Sequence, residues 1–369
     1  MYFDSAATTL QKPPQVRQAV QRALTRCASV GRSGHRAAME AAETVFACRQ
    51  AAGRLFDAEA EQVVFTMNAT HGLNLALRSL CRPEMRVVCS GYEHNAVLRT
   101  LRALGVTLRV AGRKLFDREG CLRDFAEALA EGAELVVCNC CSNVFGYILP
   151  TRELADLCRS YGVPLILDAS QAAGTLPVSL RDSGAAFIAM PGHKGLYGPQ
   201  GTGILLCSNG AEPLLYGGTG GDSLSPAMPE YLPDRLEAGT HNVCGIAGLL
   251  EGLRFVERMT PERILRHERR LLQEVVRGLS GMDGVRLYTG QGQSGVLSLT
   301  VEGRDCEELG QELARRDVAV RGGLHCAPLA HESGGTLPDG TLRLSFSAFN
   351  TPQEGKRLVE ICKKVFSKV

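Results

Sequence analysis

The chain has 369 residues, of which 44% are hydrophobic and 22% charged, and its formal net charge is +2. This length predicts about two domains, and the composition is typical of a globular protein with an ample core. The nearly balanced charge gives no electrostatic reason to expect nucleic acid or an anionic membrane as a partner. No stretch approaches the roughly 20 apolar residues of a membrane span. The N-terminal MYFDSAATTL lacks the pattern of a signal peptide, so we expect a cytoplasmic protein.

Helical and strand patterns alternate over the first part of the chain. PPQVRQAVQRALTR and AAMEAAETVFACRQAAGRLF predict two helices, the first opened by prolines. Helices such as HGLNLALRSL and TRELADLCRSYG then separate short β-branched or apolar runs. These runs are QVVFT, MRVVCS, GVTLRV, ELVVCN, VPLILD, AAFIAM and GTGILLC. The alternation predicts an α/β fold with a mostly parallel sheet covered by helices on both faces.

The later part of the chain has a different organisation. Residues from about 208 to 240 are rich in Gly, Pro and Ser and predict a long loop, which in compact domains is more often functional than not. A helix is predicted from Val243 to Val256, and Thr260-Pro261 predict the start of another. GVRLYT, GVLSLTV, CEELGQELARR, VAVR, TLRLSFS and a closing helix then predict a small α+β domain. We expect a large domain over 1–258, with its N-terminal segment near the small domain over 259–369.

The chain contains 14 cysteines. In a chain of this size such thiols are more often reduced, catalytic or metal-binding than paired in disulfides. The densest group is VVCNCCSN, in which Cys138 and Cys141 have C-x-x-C spacing. No second pair lies at a zinc-finger distance, so this group favours thiols at the end of a strand over a redox or metal pair. We expect no metal site.

Two charged residues follow apolar strands and point to a ligand crevice. Asp168 ends the strand in PLILDASQAAG, and Lys194 lies among glycines in FIAMPGHKGLYGPQGTG. A carboxylate at the end of a buried strand is costly unless its charge is used, and strand ends line the crevice of open α/β sheets. Such a pair suits pyridoxal phosphate, with the lysine forming the Schiff base and the aspartate holding the pyridine nitrogen protonated. Taken alone, Lys194 reads more simply as a solvated turn residue.

A phosphate site is predicted where a strand leads into a helix. VVFTMNATHGLNLAL supplies a strand, a turn and a helix N-terminus, whose free N–H groups bind phosphate. Thr70 is here either an ordinary helix N-cap or a phosphate ligand. The glycine motifs GPQGTG and GGTGGDS are weak matches, because the first lacks the context of a dinucleotide fingerprint and the second the Lys-Ser/Thr of a P-loop.

Taken together, the chain resembles the class V aminotransferase superfamily of PLP enzymes, and within it the second type of the cysteine desulfurase and selenocysteine lyase family. The resemblance rests on motifs that run in the same order over nearly the whole chain: YFDSAATT, NATHGLN, SGYEHNAVL, CSNVFG, LDASQAAG, GHKGLYGPQGTG, LEAGTHN, RGGLHCA and RLSFSAFNT. It implies PLP fold type I, pyridoxal 5'-phosphate as the cofactor, and a homodimer.

The resemblance also implies roles for individual residues. Lys194 corresponds to the Schiff-base lysine, and Asp168 to the partner of the pyridine nitrogen. His94 corresponds to the catalytic histidine stacked on the cofactor ring. Arg343 corresponds to the arginine that clamps the substrate carboxylate, a task suited to a guanidinium. The remaining cofactor or substrate contacts are Gln171 to the phenolic oxygen, Thr70, His71 and His193 toward the phosphate, Asn143 to cofactor and substrate, Arg321 to substrate, and Thr240 to the phosphate of the neighbouring subunit.

Cys326, in RGGLHCA, aligns with the catalytic cysteine of second-type desulfurases. Taken alone, a free cysteine is more often a buried structural thiol, and the resemblance reverses that preference. We expect Arg321 and His325 to lower the pKa of this thiol, because the thiolate is the reactive form. Two positions depart from the family pattern. Pro191 stands where a serine is common and predicts altered phosphate packing, while Leu324 stands where a second histidine is frequent and predicts altered proton handling.

These residues predict a PLP-dependent cysteine desulfurase. It would convert L-cysteine to L-alanine and transfer the sulfur to Cys326 as a persulfide, for delivery to an acceptor protein. The first alternative is a selenocysteine lyase, because the weaker carbon–selenium bond of L-selenocysteine breaks more easily without a thiolate. Another PLP reaction of the superfamily and a non-catalytic sulfur- or selenium-delivery protein are the further alternatives. The sequence does not choose between sulfur and selenium.

Overall fold

The apolar runs of the first part of the chain form one sheet. The computed structural model describes residues 1–31, 33–208, 210–221 and 224–367. The strands are β1 Val63–Thr66, β2 Arg86–Ser90, β3 Thr107–Ala111, β4 Leu135–Asn139, β5 Leu165–Asp168, β6 Phe187–Pro191 and β7 Gly203–Cys207, in the order β1-β7-β6-β5-β4-β2-β3. Only β7 runs antiparallel to its neighbours, β6 and β1. The predicted mostly parallel sheet is therefore confirmed.

Helices cover both faces of this sheet, because successive strand residues point to opposite sides. In β4, Val136 packs into a core with α2, α5, α6 and α8, whereas Val137 packs into a core with α3 and α4. The helices of this part are α1 Pro14–Arg26, α2 Arg36–Phe56, α3 Ala69–Leu80, α4 Asn95–Ala103, α5 Arg118–Ala130, α6 Thr151–Tyr161, the short α7 Leu180–Ser183, and α8 Val243–Met259. None of the helices in the described residues is long and apolar enough to cross a membrane.

A second, antiparallel sheet of three strands follows, in the order β10-β9-β8. Its own core also takes in Phe3 from the N-terminal segment, which bridges to the second sheet at Asp4 and Ser345. The predicted VAVR strand forms only isolated bridges, at Ala319 and Arg321. The elements are α9 Pro261–Leu279, β8 Val285–Tyr288, β9 Val296–Val301, α10 Cys306–Ala314, α11 Pro328–Gly334, β10 Leu342–Ser345 and α12 Pro352–Phe366. The sequence patterns did not predict α11, and the domain division at 258/259 stays a prediction.

Within its described residues, the segment 208–240 is irregular apart from one short 3₁₀ turn at Asp234–Leu236. Its end is fixed by a buried carboxylate, that of Glu237. Arg49 of α2 donates to Glu237 Oε1 at 2.8 Å, and the Phe65 N–H of β1 donates to the same oxygen. The His241 ring contacts Glu237 Oε2 at 2.6 Å. This network ties the segment to the β1 edge of the large sheet.

We expect Arg49→Ala to destabilise the protein by about 3–5 kcal/mol, because it leaves the Glu237 carboxylate buried without its main counter-ion. Chemical denaturation followed by circular dichroism measures the free energy of unfolding. The matched control is Arg22→Ala, which removes an arginine from a solvent-exposed pair with Glu40 and costs at most about 1 kcal/mol. An equal loss in both variants would contradict this account of Glu237.

Candidate active site

The carboxyl ends of neighbouring parallel strands form the floor of a cavity. Asn139 at the end of β4 is the register partner of Asp168 at the end of β5, and Asp168 pairs with Ala189 of β6. Asp168 is 4% exposed, and its Oδ1 accepts a hydrogen bond of 2.8 Å from the Ser170 N–H. The cavity has a volume of about 180 Å³.

Lys194 lies in the turn after β6 and lines the same cavity as Asp168. Burial is the main cause that lowers the pKa of its ammonium group to about 8; the charge of Asp168 opposes this effect, and those of Arg343 and Arg321 add to it. At neutral pH the amine is therefore mostly protonated, but its neutral, nucleophilic form is far more populated than in a free lysine. The structure brings the predicted lysine and aspartate into one site.

The start of α3 forms one end of this cavity. Asn68 is the N-cap, since its side chain accepts from the His71 N–H at 2.9 Å. Thr70 is therefore not the N-cap, and it lines the cavity within the first turn of the helix. The helix N-terminus favours an anion at this end. Pro191 lines the cavity as well and brings no hydroxyl group to it.

His193 lies at the same end, held by residues of the N-terminal segment. Its Nδ1 contacts Thr8 Oγ1 at 3.0 Å, and its carbonyl accepts from Lys12 Nζ, also at 3.0 Å. Burial is the main cause that lowers the pKa of His193 to about 4, so its ring is neutral. Sequence reasoning missed Lys12, because a lysine before two prolines near the N-terminus carries no pattern that separates it from a solvated one.

His94 and Gln171 line the middle of the cavity. His94 is the N-cap of α4, and its Nδ1 accepts from the Ala96 N–H at 3.0 Å, which leaves the proton of the neutral ring on Nε2. Burial lowers its pKa and keeps it neutral. Gln171 donates from Nε2 to the Ala6 carbonyl at 2.9 Å.

Two of the predicted cofactor ligands lie elsewhere within the single chain. His71 and Thr240 line a second cavity, together with Met67, Glu237 and His241. The turn between β1 and α3 separates the two cavities, since its residues 68–70 face the first and Met67 and His71 face the second. Thr240 therefore lies outside the Lys194 cavity of its own chain.

Arg343 of β10 lies on the second-sheet side of the site and is 1% exposed. Its Nη2 donates to Asp4 Oδ1 at 2.7 Å and its Nη1 to the Asn143 carbonyl at 3.0 Å, while its Nε has no partner. Asn143 lines the Lys194 cavity and donates from Nδ2 to the His325 carbonyl at 2.8 Å; its Oδ1 is unpartnered. Arg343, the residue predicted to bind the substrate carboxylate, is thus already paired with Asp4. Sequence reasoning missed this partner.

Cys326 lies on the loop before α11. All fourteen cysteines are in the described part of the chain, and Cys326 alone among them is exposed. Arg321 Nη2 lies 3.9 Å from its Sγ. Both His325 and Cys326 have left-handed backbone, with φ of +49° and +59°, a costly conformation for side chains other than glycine. The Asn95 N–H donates to the Cys326 carbonyl at 2.8 Å and helps to hold it.

His325 does not face the thiol in the way that the sequence suggested. It is 2% exposed, and its Nε2 contacts the Thr341 carbonyl at 3.0 Å. Burial, together with the charge of Arg343, lowers the pKa of His325 to about 2, so the ring is neutral. His325 therefore brings no positive charge to the Cys326 thiol, because its imidazole is neutral. Arg321 is the cation that remains beside the thiol.

The cysteine-rich stretch lies at the end of β4. Cys138 is within the strand, and Cys140 and Cys141 follow it; all three are buried. Burial raises the pKa of the Cys141 thiol to about 12 and that of Cys138 well above its ordinary value. Within the residues that the structure describes, no cluster of three or more His, Cys, Asp or Glu side chains could hold a metal ion. These thiols are thus protonated and sheltered from solvent.

Behind the cavity floor, Glu93 is fully buried. Its Oε1 accepts from Ser90 Oγ at 2.5 Å and from the Asn139 N–H at 2.7 Å, while its Oε2 has no partner. Burial raises the pKa of Glu93 to about 8, so the carboxyl group is mostly protonated at neutral pH. Sequence reasoning missed this residue, because a glutamate just before a helix ordinarily lies in solvent.

The whole chain is similar to known proteins. A family model described as aminotransferase class-V matches residues 1–358. A probable cysteine desulfurase of Methanothermobacter thermautotrophicus is 30% identical, over 99% of this chain and 94% of that protein. The apo structure of a cysteine desulfurase from Thermococcus onnurineus NA1 has a TM-score of 0.91 at 29% identity, over 100% of this chain and 95% of that one. The structure of the Escherichia coli cysteine desulfurase CsdA (S-sulfonic acid) has a TM-score of 0.86 at 25% identity, over 99% of this chain and 94% of that one.

The chain therefore belongs to the class-V aminotransferase family, and it has the predicted fold, PLP fold type I. The relatives named above are cysteine desulfurases, so the resemblance seen in the sequence motifs is confirmed. The chain is accordingly an enzyme.

We expect Glu93→Gln to remove part of the pH dependence of stability. Because the folded-state pKa of Glu93 is raised from 4.5 to about 8, its contribution to stability is fully present below pH 4.5 and is lost as the pH rises toward 8. Across that window the wild type loses about 1.4 kcal/mol per pH unit from this group, and the variant does not. Urea denaturation at several pH values measures the difference, and parallel curves for the two proteins would contradict a protonated Glu93.

Proposed function

We propose that this chain is a pyridoxal 5'-phosphate-dependent cysteine desulfurase, which converts L-cysteine to L-alanine and takes the sulfur onto Cys326. The observation that carries this proposal is one exposed thiol, Cys326, held beside Arg321 on a loop anchored to the start of α4. His94, the N-cap of that helix, lines the cavity that also holds Asp168 and Lys194. The cysteine desulfurases among its relatives match almost the whole chain.

The residues of the cavity fit the cofactor. The Asp168 carboxylate is buried, and its Oδ1 accepts a backbone hydrogen bond of 2.8 Å from Ser170; it would pair with a protonated ring nitrogen. Lys194 offers a partly neutral amine, and the α3 N-terminus with Thr70 and His193 offers donors for a phosphate. His94 and Gln171 would contact the ring face and its phenolic oxygen. When bound, pyridoxal phosphate supplies an electron sink for the substrate Cα.

The chain's own residues would then divide the work. Arg343, with Asn143 beside it, would bind the substrate carboxylate and exchange part of its contact with Asp4. The neutral form of Lys194 would accept the proton from the substrate Cα. The thiolate of Cys326, with Arg321 beside it, would attack the substrate sulfur. A sulfur–sulfur bond forms as the carbon–sulfur bond breaks; the electron pair stays on carbon, which takes a proton and leaves as alanine.

Further parts of the proposal concern assembly. We propose a homodimer in which Thr240, and His71 next to it in the second cavity, serve the active site of the neighbouring subunit. The segment 208–240 ends at this cavity and is proposed to close over that neighbouring site. In this proposal the large domain ends at residue 258 and the small domain begins at residue 259. The persulfide on Cys326 passes to an acceptor protein in the cytoplasm.

We expect Cys326→Ala to lower alanine release from L-cysteine by at least about a hundredfold, while the protein stays yellow because Lys194 and Asp168 are intact. The matched control is Cys27→Ser, a half-buried thiol at the end of α1, and it should leave the rate unchanged. Alanine dehydrogenase coupling measures the product.

Parallel assays with L-selenocysteine separate the alternatives. If L-selenocysteine alone is turned over and Cys326→Ala keeps the full rate, the chain is a selenocysteine lyase and the desulfurase proposal fails. A protein that releases no alanine from either substrate supports another reaction of the family. A colourless protein that binds no pyridoxal phosphate supports a delivery protein without turnover.

A further inference from the structure

The loop that carries Cys326, residues 321–327, is packed against the start of α10; we call it the Cys326 loop. Within its motif RGGLHCA, Gly322 lies so close to the helix that a Cβ atom on it would stand 2.4 Å from the Cys306 carbonyl oxygen. Gly323 follows with a left-handed backbone, φ of +103°, a conformation that favours glycine. The two glycines therefore allow the loop to approach the first turn of α10 closely.

A thiol binds the loop at this point of close approach. Cys306 is the first residue of α10 and is 4% exposed. Its Sγ accepts a hydrogen bond of 3.2 Å from the Gly323 N–H and donates one of 2.9 Å to the Asp339 carbonyl. Since a carbonyl only accepts, the second bond requires the protonated S–H form. Burial is the main cause that raises the pKa of the Cys306 thiol, which favours that form.

The second partner of the thiol belongs to the loop between α11 and β10, residues 335–341. This loop also touches the Cys326 loop directly, since the Thr341 N–H donates to the Gly323 carbonyl at 3.2 Å. Gly340 lies against the same carbonyl, because a Cβ atom on it would stand 2.4 Å from the Gly323 oxygen. Cys306 thus joins three segments: the start of α10, the loop 335–341 and the Cys326 loop.

The Cys326 loop needs support on more than one side. Its residues His325 and Cys326 both have left-handed backbone, a costly conformation for residues other than glycine. From the cavity side, Asn143 donates to the His325 carbonyl and the Asn95 N–H donates to the Cys326 carbonyl. The contact with Cys306 is made three residues before the nucleophile, on the side of α10. The loop is therefore held on both sides of its strained turn.

We propose that Cys306 is a positioning residue for Cys326: its thiol holds the backbone of the Cys326 loop against α10 and thereby sets where the nucleophile lies. This inference rests on the proposed function in taking Cys326 as the nucleophile. Cys306 is not among the residues that line the Lys194 cavity. It touches neither substrate nor cofactor in this proposal, and it acts through the Gly323 backbone.

The test compares Cys306→Ala with Cys306→Ser in the holoenzyme. Alanine removes both hydrogen bonds, whereas a serine hydroxyl can accept from the Gly323 N–H and donate to the Asp339 carbonyl. We expect Cys306→Ala to lower kcat for alanine release roughly tenfold with little change in KM, because a misplaced nucleophile slows the reaction without weakening substrate binding. Cys306→Ser should keep most of the wild-type rate.

Cys362→Ala is the matched control. Cys362 lies on α12 and is a buried thiol of the same apolar core as Cys306. Its alanine variant opens a similar gap in that core, yet it leaves the acceptor of the Gly323 N–H in place. Thermal melting should therefore show a loss of stability in Cys362→Ala, while its kcat stays at the wild-type value.

A second readout does not depend on turnover. Hydrogen–deuterium exchange of the peptide that contains Gly323, followed by mass spectrometry, reports on the N–H that donates to Cys306. We expect the exchange of this peptide to be about tenfold faster in Cys306→Ala and close to the wild-type rate in Cys306→Ser and Cys362→Ala. If the wild type releases no alanine, the proposed function fails, and these exchange rates still decide whether Cys306 holds the loop.

A wild-type kcat in Cys306→Ala, or an equal fall in the alanine and serine variants, would overturn the proposal. Exchange that rises equally in all peptides of Cys306→Ala would overturn it as well, because it shows lost stability and not a loosened loop. If Cys306→Ala does not fold, Gly322→Ala decides. Its Cβ atom pushes the loop away from the Cys306 carbonyl, so the same fall in kcat and faster exchange at Gly323 are expected, and unchanged values would overturn the proposal.

Discussion

The parallel register of β4, β5 and β6 is the constraint on which the site depends. It places Asn139 beside Asp168 and brings the turn with Lys194 to the same edge of the sheet. At that edge, burial disfavours the protonated form of Lys194 more strongly than the charge of Asp168 favours it. The amine is therefore partly neutral near neutral pH. Behind the floor, burial together with the charge of Asp168 raises the pKa of Glu93, whose carboxyl group accepts a hydrogen bond from the Asn139 N–H.

The N-terminal segment joins this floor to the opposite wall. Asp4 pairs with Arg343 of the second sheet, and the Ala6 carbonyl accepts from Gln171, in the turn after β5 of the large sheet. The first residues therefore connect both sheets at the cavity. The loop that carries Cys326 is fixed to the same wall, since the backbone of Arg321 bridges to that of Arg343. Asn143, which lines the cavity, accepts from Arg343 of β10 and donates to the His325 carbonyl beside Cys326, so it links both to the cavity.

Much of this arrangement could be predicted from the sequence. The alternation of apolar runs with helical patterns predicts the seven strands, because strand periodicity is a local property. Collinear motifs predict that Lys194, Asp168 and His94 share one site. The direction of His325 could not be predicted, because it depends on the Thr341 carbonyl in a different part of the chain.

The same limit applies to other contacts between distant residues. The Asp4 partner of Arg343 lies near the opposite end of the chain, and no local pattern connects them. The N-cap at Asn68 rather than Thr70 depends on the turn actually adopted after β1, and either residue type can cap a helix. The location of His71 and Thr240 in a second cavity follows from the path of the segment 208–240, whose composition predicts only a loop.

The central claim is that sulfur passes to Cys326, and peptide mapping after a single turnover tests it most directly. The holoenzyme is mixed with L-cysteine, its thiols and persulfides are trapped by alkylation, and the peptides are weighed. The account predicts one added sulfur atom on the peptide that contains Cys326 and on no other cysteine peptide. Added sulfur on a different cysteine, or alanine formed with no sulfur retained on the protein, would contradict it.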